Sequence, residues 1–312
     1  MSPAPDPSPP ALTPDPSPLT PPDIGLCAQV ACIWEATARK PGNVHRCLDF
    51  DDAHYVAFLL SAAAIAPVVG TAAGRGVGRT VWEAVRATHR VVRTNTNLGI
   101  VLLLAPLAAV PAGEPLRTGV ARVLADLDVA DARAVYQAIR LASPAGLGRV
   151  SEQDVATEPT QTLAQVMALA AGRDLVARQY ANGFREVFDE GVPALSRALD
   201  WVAFVEDAVI ACHLHLMACC PDSLIARKRG PAEAEESARR ARQVLDRGWP
   251  AHPAGRAALD ELDGWLRADG HARNPGTTAD LVAACLFVAL REGIMALPSR
   301  LPWSAALVRP PG

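Results

Sequence analysis

Thr94-Asn95-Thr96-Asn97-Leu98-Gly99-Ile100-Val101-Leu102-Leu103-Leu104-Ala105-Pro106-Leu107-Ala108-Ala109-Val110 sets four hydrogen-bonding side chains in front of a 13-residue apolar run. The run does not alternate between apolar and polar positions as a half-buried strand would, and its Leu and Ala favour a helix. Thirteen helical residues span about 20 Å, short of the ~30 Å hydrocarbon core of a bilayer. Pro106 interrupts them as well. The stretch reads as a buried helix with a polar cap, not as a membrane span.

The same style recurs on both sides. Leu26–Ala38 predicts a first helix stopped by Lys40-Pro41-Gly42, and Asp51 and Asp52 suit the first turn of a helix running to Ala73. Thr80–Arg93 places Val81, Val85 and Val92 near one face. Further helices are predicted over 114–126, 130–142, 160–171, 173–189, 193–218, 232–246, 255–268 and 277–297. Half of the 312 residues are apolar but only 5% are aromatic, so Ala, Leu and Val must fill the core. The expectation is an all-α protein, a single multi-helix bundle of about eleven helices over residues 23–300. No internal repeat or linker divides it.

Residues 1–22 hold ten prolines and are expected to be a disordered Pro-rich tail, with 301–312 a C-terminal tail. The chain opens without a basic-then-apolar leader. Its seven cysteines (27, 32, 47, 212, 219, 220 and 285) include no C-x-x-C pair, so reduced thiols and a cytoplasmic location are expected. A net charge of −3 provides no global basic field for nucleic acid, and no membrane partner is expected.

In so apolar a chain, five polar clusters stand out. Glu35 and Lys40-Pro41-Gly42-Asn43-Val44-His45-Arg46 are followed by Asp49, Asp51, Asp52 and His54. This is either a helix stop with an acidic turn after it, or a loop whose lysine meets phosphate, whose glycine lets a ligand approach and whose carboxylates hold Mg²⁺. Thr94–Asn97 exceeds what one N-cap needs and could serve a phosphate or a base. Asp174 and Arg178, four apart, read as a structural ion pair. Asp222-Ser223 and Arg227-Lys228-Arg229-Gly230 are either a polyphosphate clamp or cations suited to a helix C-terminus. Asn274-Pro275-Gly276-Thr277-Thr278-Ala279-Asp280 reads locally as a turn and cap.

Two patterns are set aside. Gly74-Arg75-Gly76-Val77-Gly78-Arg79-Thr80 lacks the lysine and the spacing of a phosphate loop. Cys212, His213, His215, Cys219 and Cys220 fall on different faces of one helix and cannot all converge on one ion, so core packing is favoured.

Taken in order, Glu35–Val44, Thr94–Gly99, Arg178–Phe184, Asp222–Lys228 and Asn274–Leu281 resemble the triphosphoribosyl-dephospho-CoA synthase family, over roughly residues 26–296. The resemblance implies an all-α transferase that moves the 5-triphosphoribosyl group of ATP to the 2′-hydroxyl of 3′-dephospho-CoA, releasing adenine. It implies Mg²⁺ as cofactor and ATP with a dephospho-CoA-like acceptor as partners. Oligomeric state is left open, a homodimer being one possibility. Lys40, Arg227 and Lys228 are then expected at phosphates, and Asn95 and Asn97 at the nucleotide. Asn43, His45, Arg178, Ser223 and Thr278 are expected to complete the substrate site. Glu35, Asp52 and Asp280 are the candidate catalytic carboxylates, and Asp49, Asp52 and Asp222 the candidate metal ligands.

The resemblance departs in two places. His45 stands where citrate- and malonate-linked members carry Asp, no Gly-Ala-His segment follows, and Leu98 replaces a basic residue. In this the chain looks nearer to the branch of methanogens and methylotrophs. Two alternatives follow: ribosyl transfer to another acceptor in tetrahydromethanopterin-type cofactor synthesis, or a non-catalytic nucleotide-binding protein.

Overall fold

The computed structural model describes residues 23–51, 53–144, 152–297, 299 and 301–303. The first helices are α1 (Ile24–Thr37), α2 (Tyr55–Val69), α3 (Ala72–Arg75), α4 (Val77–Val91) and α5 (Leu98–Ala109). Next come α6 (Leu116–Ala125), α7 (Val129–Ala142), α8 (Leu163–Ala170) and α9 (Leu175–Asn182). A π-helical turn, Glu186–Gly191, leads into α10 (Val192–Leu199) and α11 (Val205–Cys219). The last are α12 (Ser223–Arg229), α13 (Pro231–Asp246), α14 (Pro253–Arg267) and α15 (Gly276–Arg291). Among the described residues there is no strand, only the bridges His45–Leu48 and Phe50–Ala53.

The all-α expectation holds, with fifteen α-helices among the described residues instead of about eleven. Several long predicted segments break. Segment 173–189 ends its α-helix at Gly183, whose φ of 71° is left-handed, and re-forms as the π turn. Segment 193–218 splits between Leu199 and Val205, and α2 starts only at Tyr55, beyond Asp51, with Asp49 Oδ1 accepting from the Tyr55 amide at 2.7 Å.

Three helices form the interior. In α5 and α11 nearly every residue is buried, and in α15 every residue from Leu281 to Leu290 is. Helix α15 packs against α1, α5 and α11, while amphipathic α4, α10 and α14 present apolar stripes inward. Pro106 lacks an amide to give the Leu102 carbonyl, and the Tyr180 hydroxyl donates to that carbonyl at 2.6 Å, tying α9 to α5.

Residues 301–303 pack back onto the bundle. The Val205 amide donates to the Pro302 carbonyl at 3.1 Å, and Trp303 lies 6.2 Å from Trp34. The expected tail at 1–22 and residues 304–312 lie outside the described residues. No single described helix is long and apolar enough to cross a membrane. The bent pair α11–α12 passes on length and composition only, and most of α11 is buried in the protein.

Candidate active site

A cavity of about 1050 Å³ opens among the starts of α5, α9 and α15 and the pair α7–α8. That is the upper end of the usual range for small-molecule sites, ~300–1,000 Å³. Helices α7, α8 and α9 contribute mainly apolar groups, among them Ile139, Val166, Met167 and Val176. The polar lining draws on all five sequence clusters: Glu35 and Asn43, Asn95 and Asn97, Asp174, Arg227 and Lys228, and Asn274 and Asp280.

Asp280 is the most distinctive group. Its carboxyl packs against Gly99, where a Cβ would overlap it, so glycine at the start of α5 is what admits it. Among the described residues no protein donor hydrogen-bonds it, and it is partly open to the cavity. Burial first, then the charges of Glu35, Asp222 and Asp174, push its pKa well above the ordinary carboxylate value, against the pull of Arg227.

Glu35 lines the same cavity but is held from behind. Lys40 is fully buried, and its ammonium lies 2.9 Å from Glu35 Oε1 and donates to the Glu35 carbonyl. Lys40 therefore does not line the cavity. The loop folds back on the end of α1, where the ammonium neutralises a buried carboxylate and caps a carbonyl. Gly42, at φ 74°, gives close approach to the protein itself, since a Cβ there would lie 2.8 Å from Leu266 and 2.9 Å from Pro275. Arg39 and Arg46 clamp the loop to the buried Glu206 of α11.

The asparagines divide their work. Asn43 Nδ2 donates to Asn274 Oδ1 at 2.7 Å, leaving Asn43 Oδ1 a buried acceptor without a partner among the described residues. Asn95 Oδ1 accepts from the Leu98 amide at 3.1 Å. Asn97 occupies the N-cap position of α5 but sends its amide to Thr88 instead, at 3.0 Å, and does not cap the helix. Of the three consecutive cations, Arg227 and Lys228 line the cavity, Arg227 being 3.3 Å from Asp174; Arg229 turns to Asp269 at 3.1 Å.

Several expected site residues serve the fold instead. Asp222 is fully buried. Its Oδ1 accepts from the Leu224 and Ile225 amides, and its Oδ2 from the amide and hydroxyl of Thr278, at 2.7–3.0 Å. Those four donors occupy both oxygens, which leaves it unsuited to metal. The Ser223 hydroxyl accepts from the Leu175 amide and donates to Thr277, so Asp222, Ser223 and Thr278 knit the starts of α9, α12 and α15 together. Arg178 points to the Ala171 carbonyl at 3.1 Å, away from the cavity, and Asp174 caps α9 rather than pairing with it.

His45 is buried, does not line the cavity and accepts from the Cys47 amide. Burial, then Arg267 and Lys40, push its pKa down to about 4, so it is neutral near pH 7 and offers phosphate no charge. Asp49 is also away from the cavity, beside His54. Asp49 and Asp222 thus do not converge as metal ligands, and Asp52 lies outside the described residues.

Sequence reasoning missed Arg93, Arg173 and His271 in the lining. Arg93 directly precedes Thr94–Asn97, so the cluster could have been read one residue longer. Among the described residues Arg93 has no protein partner, as suits a cation kept for a ligand. Arg173 likewise directly precedes Asp174, whereas His271 enters through folding alone.

The comparisons with known proteins agree on one relationship. A Pseudomonas putida protein assigned as a 2-(5″-triphosphoribosyl)-3′-dephosphocoenzyme-A synthase is 32% identical over 68% of this chain and 67% of its own length. A Pseudomonas savastanoi pv. phaseolicola protein assigned the same activity is 31% identical over 51% of this chain, and this match spans about half (53%) of the relative's length. A crystal structure from Archaeoglobus fulgidus, assigned as a triphosphoribosyl-dephospho-CoA synthase, superposes with a TM-score of 0.59 at 30% identity, covering 75% of this chain and 99% of that one. With the family's sequence profile matching residues 21–298, the chain belongs to the transferase family described as ATP:dephospho-CoA triphosphoribosyl transferase.

Proposed function

We propose that this protein transfers the 5-triphosphoribosyl group of ATP to the 2′-hydroxyl of 3′-dephospho-CoA. The glycosidic C1′–N9 bond of ATP breaks, a C1′–O bond forms, and the hydroxyl proton leaves with adenine in the net reaction. The observation that carries this reading is Asp280: a carboxyl that accepts no hydrogen bond from the described residues, has a raised pKa and faces a cavity that also holds Arg93, Arg227 and Lys228. A carboxylate with a raised pKa is a better general base for a hydroxyl than an ordinary one. Arg93, Arg227 and Lys228 would hold the triphosphate, and the orphaned Asn43 Oδ1 would accept from an amino group such as that of adenine.

Mg²⁺ usually takes one or two protein carboxylates together with phosphate oxygens and waters. Glu35 is an oxygen donor of that kind: it lines the cavity, and its charge raises the cost of ionising Asp280. Glu35 would hold the ion, which neutralises charge on the triphosphate, while Asp280 acts as the base.

A second acceptor class has a specific support. Phe50 and Ala53 line the cavity, so the 45–54 segment that departs from the citrate- and malonate-linked pattern reaches the binding surface. The test is adenine release from ATP and Mg²⁺ with and without 3′-dephospho-CoA. Adenine that depends on dephospho-CoA supports the first reading; adenine only with a pterin-type acceptor supports the second. ATP binding without adenine across the acceptor panel would overturn both and leave a nucleotide-binding protein.

A further inference from the structure

Helix α11 carries His215 and Cys219 four residues apart, so both project from one face. The π-helical turn brings a third group to them. Glu190 Oε2 lies 2.8 Å from a ring nitrogen of His215, and the ligand atoms of Glu190, His215 and Cys219 all fall within 4.8 Å of one another. None of the three lines the reaction cavity, and Cys219 is exposed. The π turn matters here, because an inserted π turn shifts the register of a helix and often marks a functional position.

Glu190 and His215 form a surface ion pair, and beside it Cys219, whose Sγ also contacts the Leu216 carbonyl at 3.5 Å and Cys220 Sγ at 3.6 Å, adds a sulfur donor. One nitrogen, one sulfur and one carboxylate oxygen form a borderline-soft donor set, which favours Zn²⁺ over Mg²⁺ or Ca²⁺. Tetrahedral zinc with bonds of about 2.0–2.3 Å places its ligands roughly 3.3–3.8 Å apart. The three ligand atoms, all within 4.8 Å of one another on side chains that reach the surface, lie close to that spacing. We propose that Glu190, His215 and Cys219 bind one divalent cation of the zinc class, with water in the fourth position, at a site separate from the triphosphoribosyl cavity.

The full-length chain, free of any affinity tag and fully reduced, is titrated with Co²⁺ as a spectroscopic probe. The expected result is one Co²⁺ per chain with a thiolate-to-cobalt charge-transfer band, displaced by stoichiometric Zn²⁺. Cys219→Ser should abolish the band. Glu190→Gln and His215→Ala should each weaken binding by about ten-fold or more. Cys220→Ser and Cys47→Ser should retain band and affinity. Circular dichroism checks that each variant is folded. Absence of the band in the unaltered protein, its survival in Cys219→Ser, or its loss in Cys47→Ser would overturn the proposal.

Discussion

Asp222 and Asp280 stand at the starts of neighbouring helices, α12 and α15, and burial raises the pKa of both. Asp222 accepts four hydrogen bonds from Leu224, Ile225 and Thr278, all of which pull its pKa back down. Asp280 accepts none from the described residues and has Glu35 as a like-charged neighbour. The first region shows a carboxylate consumed by the fold. The second shows one kept for a ligand. The residue types are identical, so the difference lies wholly in what folding brings to each.

The sharpest way to break this contrast is to neutralise Asp280. Asp280→Asn should lower kcat by about 10²–10⁴-fold, the usual contribution of a positioned acid or base, with the fold intact. Steady-state adenine release measures it, and a loss below ten-fold would remove Asp280 from the base role. Lys40→Met should act the other way, costing about 3–5 kcal/mol of stability by leaving Glu35 as an unpaired buried charge. Urea unfolding reads this. A large loss of activity with unchanged stability would return Lys40 to the substrate site.

Asp222→Ala should destabilise by about 2–4 kcal/mol, because a cap is lost and Thr278 donors are orphaned. A thermal melt tests it; a neutral outcome would dissolve the contrast with Asp280.

The pH dependence sharpens the same comparison. Between the unfolded value of 3.8 and its raised native value, Asp280 keeps a proton in the folded state that the unfolded chain has released. Stability therefore falls as pH rises through that window, and the full cost is present above it. Asp280→Asn should melt higher than the unaltered protein at pH 7, with the gap closing below pH 3.8. Activity should rise with pH through the raised value. The smallest effect is expected from Arg93→Ala: a KM for ATP raised about 3–10-fold with kcat nearly constant, as when binding is lost equally from ground and transition states.

The helices were largely legible. The apolar run of α5 and the capping side chains before α7, α8 and α9 act over a few residues, so local sequence contains their cause. Breaks at Gly183 and after Leu199 were not, because a helix is extended or cut according to what packs on it. At the site, the five clusters were visible as polar groups in an apolar chain, and all five reach the cavity. Which members face it could not be read. Lys40 and Asp222 look as reactive in the sequence as Arg227 and Asp280, until buried partners claim them.

The sequence by itself determined an all-helical chain, five polar junctions between helices and, through their order, a family. Those follow from short-range propensity, capping and composition, which need no knowledge of distant contacts. Only the tertiary structure decided which polar groups are used. A hydrogen bond between residues 56 positions apart, as from Thr278 to Asp222, has no local signature. Nor does the close approach of Gly99 and Asp280 that leaves one carboxyl facing the cavity. Burial and partner supply set the charge and availability of each group, and both exist only once the helices have packed.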